Sequence, residues 1–266
     1  MIIIAESGAT KTDWCAIFAD GSVRRLRSEG INFTVMSSGS IGEITQKAVA
    51  TLNSTGELVS EMHFYAAGMM KEHNSGDVEY ASDLLGAARA VCGHNPGIAA
   101  ILGTGSNSCF FDGKRIVKNI RSGGFILGDE GSAASLGRNF LSDFLKELVP
   151  APMAEAFAAS FKSDYVSIVD NVYKSETPSK YLGSLAPFIL GWYGKCEYAT
   201  EMVDDNFRRF FSRCLCQYDT QTYPVGIVGS FAEACRDIIL KIAEEYGVRI
   251  SSITASPMDG LIAYHK

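Results

Sequence analysis

The same strand–turn–strand unit occurs twice in this chain, and a duplicated unit constrains the fold more than any single motif. The first copy runs Ile2-Ile3-Ile4-Ala5-Glu6-Ser7-Gly8-Ala9-Thr10-Lys11-Thr12-Asp13-Trp14-Cys15-Ala16-Ile17-Phe18 and ends at Asp20-Gly21. The second runs Ile98-Ala99-Ala100-Ile101-Leu102-Gly103-Thr104-Gly105-Ser106-Asn107-Ser108-Cys109-Phe110-Phe111 and ends at Asp112-Gly113. Each reads as an apolar strand, a turn of small residues, a second apolar strand and an Asp-Gly hairpin. Small residues in the turn let backbone N–H groups converge on an anion, because no Cβ blocks the approach. Two such turns on two similar half-molecules can hold a polyphosphate between them. This predicts a nucleotide cleft at a domain interface.

The elements around the two copies alternate. Ser22–Arg27 can supply a third, edge-like strand, and Ile41, Ile44, Val49 and Leu52 recur at helical spacing before Gly56. Met62–Gly68 reads as a buried strand ending in a turn, Val78–Gly86 as a strand and turn, and Ala87–Cys92 as a small helix. The second half is more helical: Gly131–Leu148, Met153–Phe161, Val166–Tyr173, Tyr181–Trp192 and Thr200–Cys216 all read as helices. Val225–Val228 is then a strand, Phe231–Tyr246 a strong helix, Ile250–Thr254 the last strand and Met258–Lys266 a closing helix. The alternation predicts an α/β layered fold with a mostly parallel sheet core.

The net charge of −6 argues against nucleic acid or an anionic membrane as partner, since both demand basic patches. No apolar run reaches the length of a bilayer span, and the N-terminal Ile run lacks a basic flank, so a cytoplasmic location is expected. The seven cysteines are odd in number and widely spaced. Cys214 and Cys216 alone are close, and on a helix they point to opposite sides. Without a C-x-x-C pair or a completing His pair, reduced structural thiols are expected.

Four clusters carry chemistry. Glu6 stands at a strand end and can hold Mg²⁺ through water, while the amides of Gly8, Ala9 and Thr10 and the hydroxyls of Thr10 and Thr12 can meet phosphate oxygens. Lys11 can add positive charge, or be an exposed hairpin lysine. Gly103-Thr104-Gly105-Ser106-Asn107 can form the second cradle, or be a turn of the kind that joins strands in many folds. Gly229 and Ser230 open a helix where backbone approach and a helix N-terminus coincide, or else make a tight helix start. Asp83 can accept a proton from a substrate hydroxyl as phosphoryl transfer begins, and is equally a candidate helix N-cap. In Gly128-Asp129-Glu130-Gly131-Ser132, Asp129 can bind a sugar hydroxyl or metal-bound water, with Glu130 and Ser132 capping the helix that follows.

Together these residues resemble the actin/hexokinase/Hsp70-like ATPase superfamily, and within it the N-acetylglucosamine kinase branch of the BadF/BadG/BcrA/BcrD ATPase family. The resemblance covers essentially the whole chain and is most specific in Gly103–Asn107 followed by Gly128–Ser132. It implies two RNase H-like domains closing on ATP and Mg²⁺, one of residues 1–103 and one of residues 104–257 with a helical insertion. Residues 258–266 would return to the first. It also implies Asp83 as catalytic base, Asn32, Gly68, Asn107, Gly124 and Asp129 around a sugar, and a homodimer.

Two departures concern the acceptor. The family's Gly-Gly-Trp-Gly is replaced by Arg121-Ser122-Gly123-Gly124, with Phe125 following, and Ala66–Lys71 lacks a Gly-Asp pair. The expected activity is transfer from ATP to the 6-hydroxyl of N-acetylglucosamine or a related amino sugar. The alternatives are an ATPase activator of a 2-hydroxyacyl-CoA dehydratase, with an iron–sulfur cluster shared between subunits, and a non-catalytic nucleotide- or sugar-binding regulator.

Overall fold

The computed structural model describes residues 1–8, 11–31, 33, 36–54, 56–69, 73–162 and 164–266, with backbone alone for 73–75. The first sheet begins with β1 (Ile2–Ser7), whose Ile3, Ile4 and Ala5 are fully buried, so the run is apolar on both faces. It turns back through β2 (Lys11–Ile17), paired antiparallel from Ile2↔Ile17 to Ser7↔Thr12. β3 (Val23–Glu29) pairs antiparallel with β2 and carries charged residues along its edge, which blunts it against further pairing. After α1 (Ser38–Leu52), β4 (Glu61–Ala66) lies parallel to β1. β6 (Val78–Ser82) lies parallel to β4, and β5 (His73–Ser75) borders it. The spatial order is β3-β2-β1-β4-β6-β5.

The second sheet repeats this order. β7 (Pro96–Leu102), β8 (Ser106–Asp112) and β9 (Ile116–Ile120) correspond to β1, β2 and β3. β10 (Val225–Val228) and β11 (Ile250–Thr254), parallel to each other, take the places of β4 and β6. The order is β11-β10-β7-β8-β9, so the sequence repeat is a structural repeat. The chain divides into two compact units. One comprises Met1–Ala99, Cys109–Lys118 and Ser256–Lys266; the other comprises Ala100–Ser108 and Asn119–Ala255.

The expected mostly parallel core is corrected to a mixed sheet: in the first, β1–β4 and β4–β6 are parallel while β1–β2, β2–β3 and β5–β6 are antiparallel. The short hairpins permit nothing else, since a parallel connection needs a crossover. Several helices also differ from the sequence reading; Val166–Tyr173, for one, is α-helical over Tyr165–Val169 and π-helical over Asp170–Lys174. The helix expected from Ala87 starts earlier, as α2 (Asp83–Cys92), because Ser82 caps it. Tyr181–Trp192 is divided between α7 (Pro178–Gly183) and α8 (Ala186–Leu190), with Pro187 in the first turn of α8, where a missing N–H is harmless. Phe231–Tyr246 breaks at Cys235 into α10 (Ser230–Ala234) and α11 (Arg236–Glu245). The other helices of the second unit are α3 (Gly124–Leu127), α4 (Ala133–Phe144), α5 (Ala151–Ser160), α6 (Tyr165–Val169) and α9 (Glu197–Arg213).

In the first unit, Trp14, Phe33, Phe64 and Tyr80 form an edge-to-face aromatic core, with Phe33 and Phe64 centroids 5.1 Å apart. In the second, Phe140, Phe157, Phe161 and Phe188 cluster between helices, with Phe140–Phe157 and Phe161–Phe188 edge-to-face and Phe157–Phe161 stacked. The closing helix α12 (Met258–His265) packs on α2, β1 and β2. It comes so close that a Cβ at Gly260 would lie 2.2 Å from the Ala90 carbonyl oxygen. Gly260→Ala should therefore push α12 off α2 and lower stability by about 1–3 kcal/mol. Thermal unfolding checks this, and an unchanged melting temperature would contradict the close approach.

Candidate active site

The in-register parallel pairing sets Ser7, Ala66 and Ser82 side by side at the carboxyl ends of β1, β4 and β6. Ligands of α/β sheets bind at such strand ends. The loops leaving them converge, because the Ala67 N–H donates to the Ser7 carbonyl at 3.1 Å and so draws the Gly68 turn onto β1. Glu6 and Asp83 belong to the same sheet end. The Glu6 carboxyl is pushed up to about 7, first by burial and then by the Asp13 and Asp83 carboxylates, against the pull of Lys11. Burial also raises Asp83, opposed by its bond from the Leu84 N–H at 2.8 Å. Ser82, not Asp83, caps α2, its hydroxyl accepting the Leu85 N–H at 3.2 Å. Asp83 is thereby the first residue of the helix, with no capping duty toward the third.

Three side chains of the first turn are engaged elsewhere. The Thr12 hydroxyl is buried in the sheet, sharing a 2.8 Å hydrogen bond with Ser7 and donating to the Glu29 carbonyl at 3.0 Å. The Lys11 ammonium sits 2.9 Å from Asp13, which also holds Arg27 at 2.7 Å. These two cations keep Asp13 below the usual carboxylate range despite its burial. The Gly8 N–H donates to the Lys11 carbonyl at 3.0 Å, closing the turn. Ala9, Thr10 and Asn32 lie outside the described residues.

The second unit holds its own cluster. In the β7–β8 turn the Gly103 N–H donates to the Gly105 carbonyl at 2.9 Å. The carbonyls of Gly103 and Thr104 accept the Ala133 and Ala134 N–H groups at 3.0 and 3.1 Å, satisfying the amino end of α4. Asp129, buried and in the left-handed region at φ 55°, accepts the Ser106 N–H at 3.2 Å through Oδ1. Burial raises its carboxyl, while the Ser106 bond and Arg138 oppose this. Gly229 meets the same turn from the other side: at φ 144° its Cβ would lie 2.1 Å from the Leu102 carbonyl oxygen, so only glycine fits. Gly103, Thr104, Gly105, Ser106, Asp129 and Gly229 are thus brought together.

Ser230 opens the five-residue α10 and is exposed. Gly124, at φ 70°, is the first residue of α3 and leads to Asp129 through the 2.8 Å bond from the Gly128 N–H to its carbonyl. Asn107 faces β9, its Oδ1 accepting from Asn119 at 2.9 Å. Ser132 caps α4, but Glu130 pairs with Arg213 at 2.7 Å instead of capping. Sequence reasoning missed Arg138, whose guanidinium donates to the Phe125 carbonyl and fixes α3. It also missed Asn206 of α9, which donates to the Ser132 carbonyl. An exposed or helical polar residue far along the chain gives no local signal of such a bond.

The repeated five-strand order, with glycine turns at the carboxyl ends, defines an actin-like ATPase fold. A putative N-acetylglucosamine kinase from Porphyromonas gingivalis is 34% identical, with all of this chain and 98% of that one covered and a TM-score of 0.90. The chain belongs to this N-acetylglucosamine kinase-like family. A putative N-acetylglucosamine kinase from Chromobacterium violaceum is 17% identical over 100% and 98% of the two chains, with a TM-score of 0.76. A ROK family glucokinase from Streptomyces griseus, in complex with glucose and AMPPNP, shares the fold at 14% identity, 99% and 97% coverage and a TM-score of 0.59. No protein-family model and no curated protein matches the chain.

The Glu6 shift has a measurable consequence. Its folded-state value lies above the ordinary 4.5, so the stability it confers is complete below about 4.5 and is lost as pH rises to about 7. Glu6→Gln keeps the neutral form at every pH. Without ligand, its melting temperature should match the wild type near pH 4.5 and exceed it at pH 8. A variant no more stable than wild type at pH 8 would refute the burial and repulsion assigned to Glu6.

Proposed function

We propose that the chain is an ATP-dependent sugar kinase, transferring the γ-phosphoryl group of ATP to the 6-hydroxyl of N-acetylglucosamine or a related amino sugar. The observation that carries this is Asp83, a half-buried carboxyl at the first position of α2, where Ser82 takes the cap, set beside Glu6 at the strand ends. The full-length similarity to a putative N-acetylglucosamine kinase supports the acceptor class. In this reading Asp83 takes the proton from the attacking hydroxyl, and its raised carboxyl lies closer to neutrality than an exposed aspartate would. The turns after Gly8 and at Thr104–Gly105 would bind phosphate oxygens through backbone N–H groups, those of Gly8, Gly103 and Ser106 being already held by Lys11, Gly105 and Asp129, with Gly229 behind the second. Asp129 and Gly68 orient the sugar.

Glu6 suits a divalent cation, because burial and the Asp13 and Asp83 carboxylates disfavour its anionic form, and a cation there would offset that penalty. Glu6 would hold Mg²⁺, through water, and the ion would neutralise phosphate charge during transfer. The family resemblance extends the proposal to a homodimer in the cytoplasm. No helix among the described residues is long and apolar enough to cross a membrane. Of the seven cysteines, Cys216 alone is exposed, which speaks against an iron–sulfur activator needing several thiols at a subunit face.

Coupled ADP release with Mg²⁺·ATP, run against hexoses and N-acetylhexosamines, tests the reading. A sugar-dependent rate is expected, lowered about 10²–10⁴-fold by Asp83→Asn with the fold intact by thermal unfolding. ADP release indifferent to sugar would indicate an ATPase activator. ATP binding without release would indicate a regulator.

A further inference from the structure

The turn that carries Asp129 is held from behind by α9. Gly131, at φ 77°, packs so tightly that a Cβ would stand 2.6 Å from Phe210 Cβ. One helical turn earlier, Asn206 is 1% exposed, and its Nδ2 donates to the Ser132 carbonyl at 3.1 Å. The Ser132 N–H in turn donates to the Asp129 carbonyl at 3.0 Å, and the Asp129 N–H to the Ser122 carbonyl at 2.8 Å.

The fold does not require the Asn206 bond. The Ser132 carbonyl already accepts the Leu136 N–H at 3.1 Å, in the first turn of α4, so removing Asn206 leaves it satisfied. Asn206 Oδ1 is buried with no hydrogen-bond partner among the described residues, which is unfavourable for the folded state. An apolar side chain of similar size would pack there without that penalty. A buried asparagine that leaves its Oδ1 unpaired and, among the described residues, hydrogen-bonds solely to the Asp129 turn is explained by what it orients.

We propose that Asn206 is a positioning residue for the acceptor site, fixing the Ser132 carbonyl and through it the set of the Asp129 carboxylate against the Ser106 N–H. This rests on the reading of the chain as a sugar kinase with Asp129 at the acceptor. The path runs entirely through one unit: Asn206 to Ser132, Ser132 to Asp129, Asp129 to Ser106.

Asn206→Leu separates positioning from plain structural support. Its melting temperature should equal or exceed the wild type, while the KM for sugar rises about 10–100-fold and the KM for ATP stays within about twofold. Amide hydrogen exchange at Ser132, Ala133 and Ala134 should quicken, a readout that needs no turnover. A lowered melting temperature with equal losses for both substrates would make Asn206 merely structural and overturn the proposal. Unchanged exchange at these amides would overturn it as well. Wild-type protein without sugar-dependent turnover would sink the kinase reading alone, and the exchange data would still decide whether Asn206 holds the turn. Asn206→Ala removes the donor without risk of overfilling, and its exchange decides the matter should the leucine variant fail to fold.

Discussion

β1 can pair in register with both β2 and β4 only because its residues are apolar on both faces. Ile3, Ile4 and Ala5 are fully buried, and no polar side chain breaks the run before Glu6. A shift of one residue would turn the whole set to the wrong faces, so the register is held firmly. That register places Ser7, Ala66 and Ser82 in one row and hence the following loops at one sheet end. The aromatic core of Trp14, Phe33, Phe64 and Tyr80 locks it from one side, and α12 and α2 cover the sheet as well. In the second unit the equivalent constraint is backbone against backbone. Gly229 lies against Leu102, and the carbonyls of Gly103 and Thr104 take the first N–H groups of α4.

Electrostatics follow from this geometry. Burial raises Glu6 and Asp83 at the strand ends and Asp129 in the turn before α4. Asp13 goes the other way because two cations reach it. The four acids thus separate by surroundings rather than by residue type. Groups whose charged form desolvation disfavours are suited to exchanging protons or meeting cations, whereas a doubly paired carboxylate is suited to holding structure. Lys11 belongs with the latter, since its ammonium rests on Asp13.

The duplicated motif and the alternation of elements were legible because they depend on local pattern. Strands β1, β2, β3, β4, β10 and β11 and helices α1, α5 and α12 fall where apolar spacing puts them. β5 and β9 were not legible: each is a short edge strand whose residues gain strand character only from a neighbour. The breaks at Cys235 and before Pro187 were also hidden or underread, since helical periodicity continues through both. At the site, the residue types could be read but their directions could not. Thr12 looked like a phosphate donor, yet its hydroxyl turns into the sheet toward Ser7 and Glu29. Asp83 read equally as base and as N-cap until the helix start gave the cap to Ser82.

By itself the sequence determined that two similar α/β halves would form and that glycine turns would end their first strands. Both depend on periodicity and on small residues at fixed spacing. Only the tertiary structure decided which polar groups turn into the protein, as Thr12 does toward Ser7 and Glu29. That choice rests on contacts across large separations, such as Asn206 to Ser132, Arg213 to Glu130 and Gly229 to Leu102. No local pattern encodes such contacts, because each partner's environment exists only after the chain has packed.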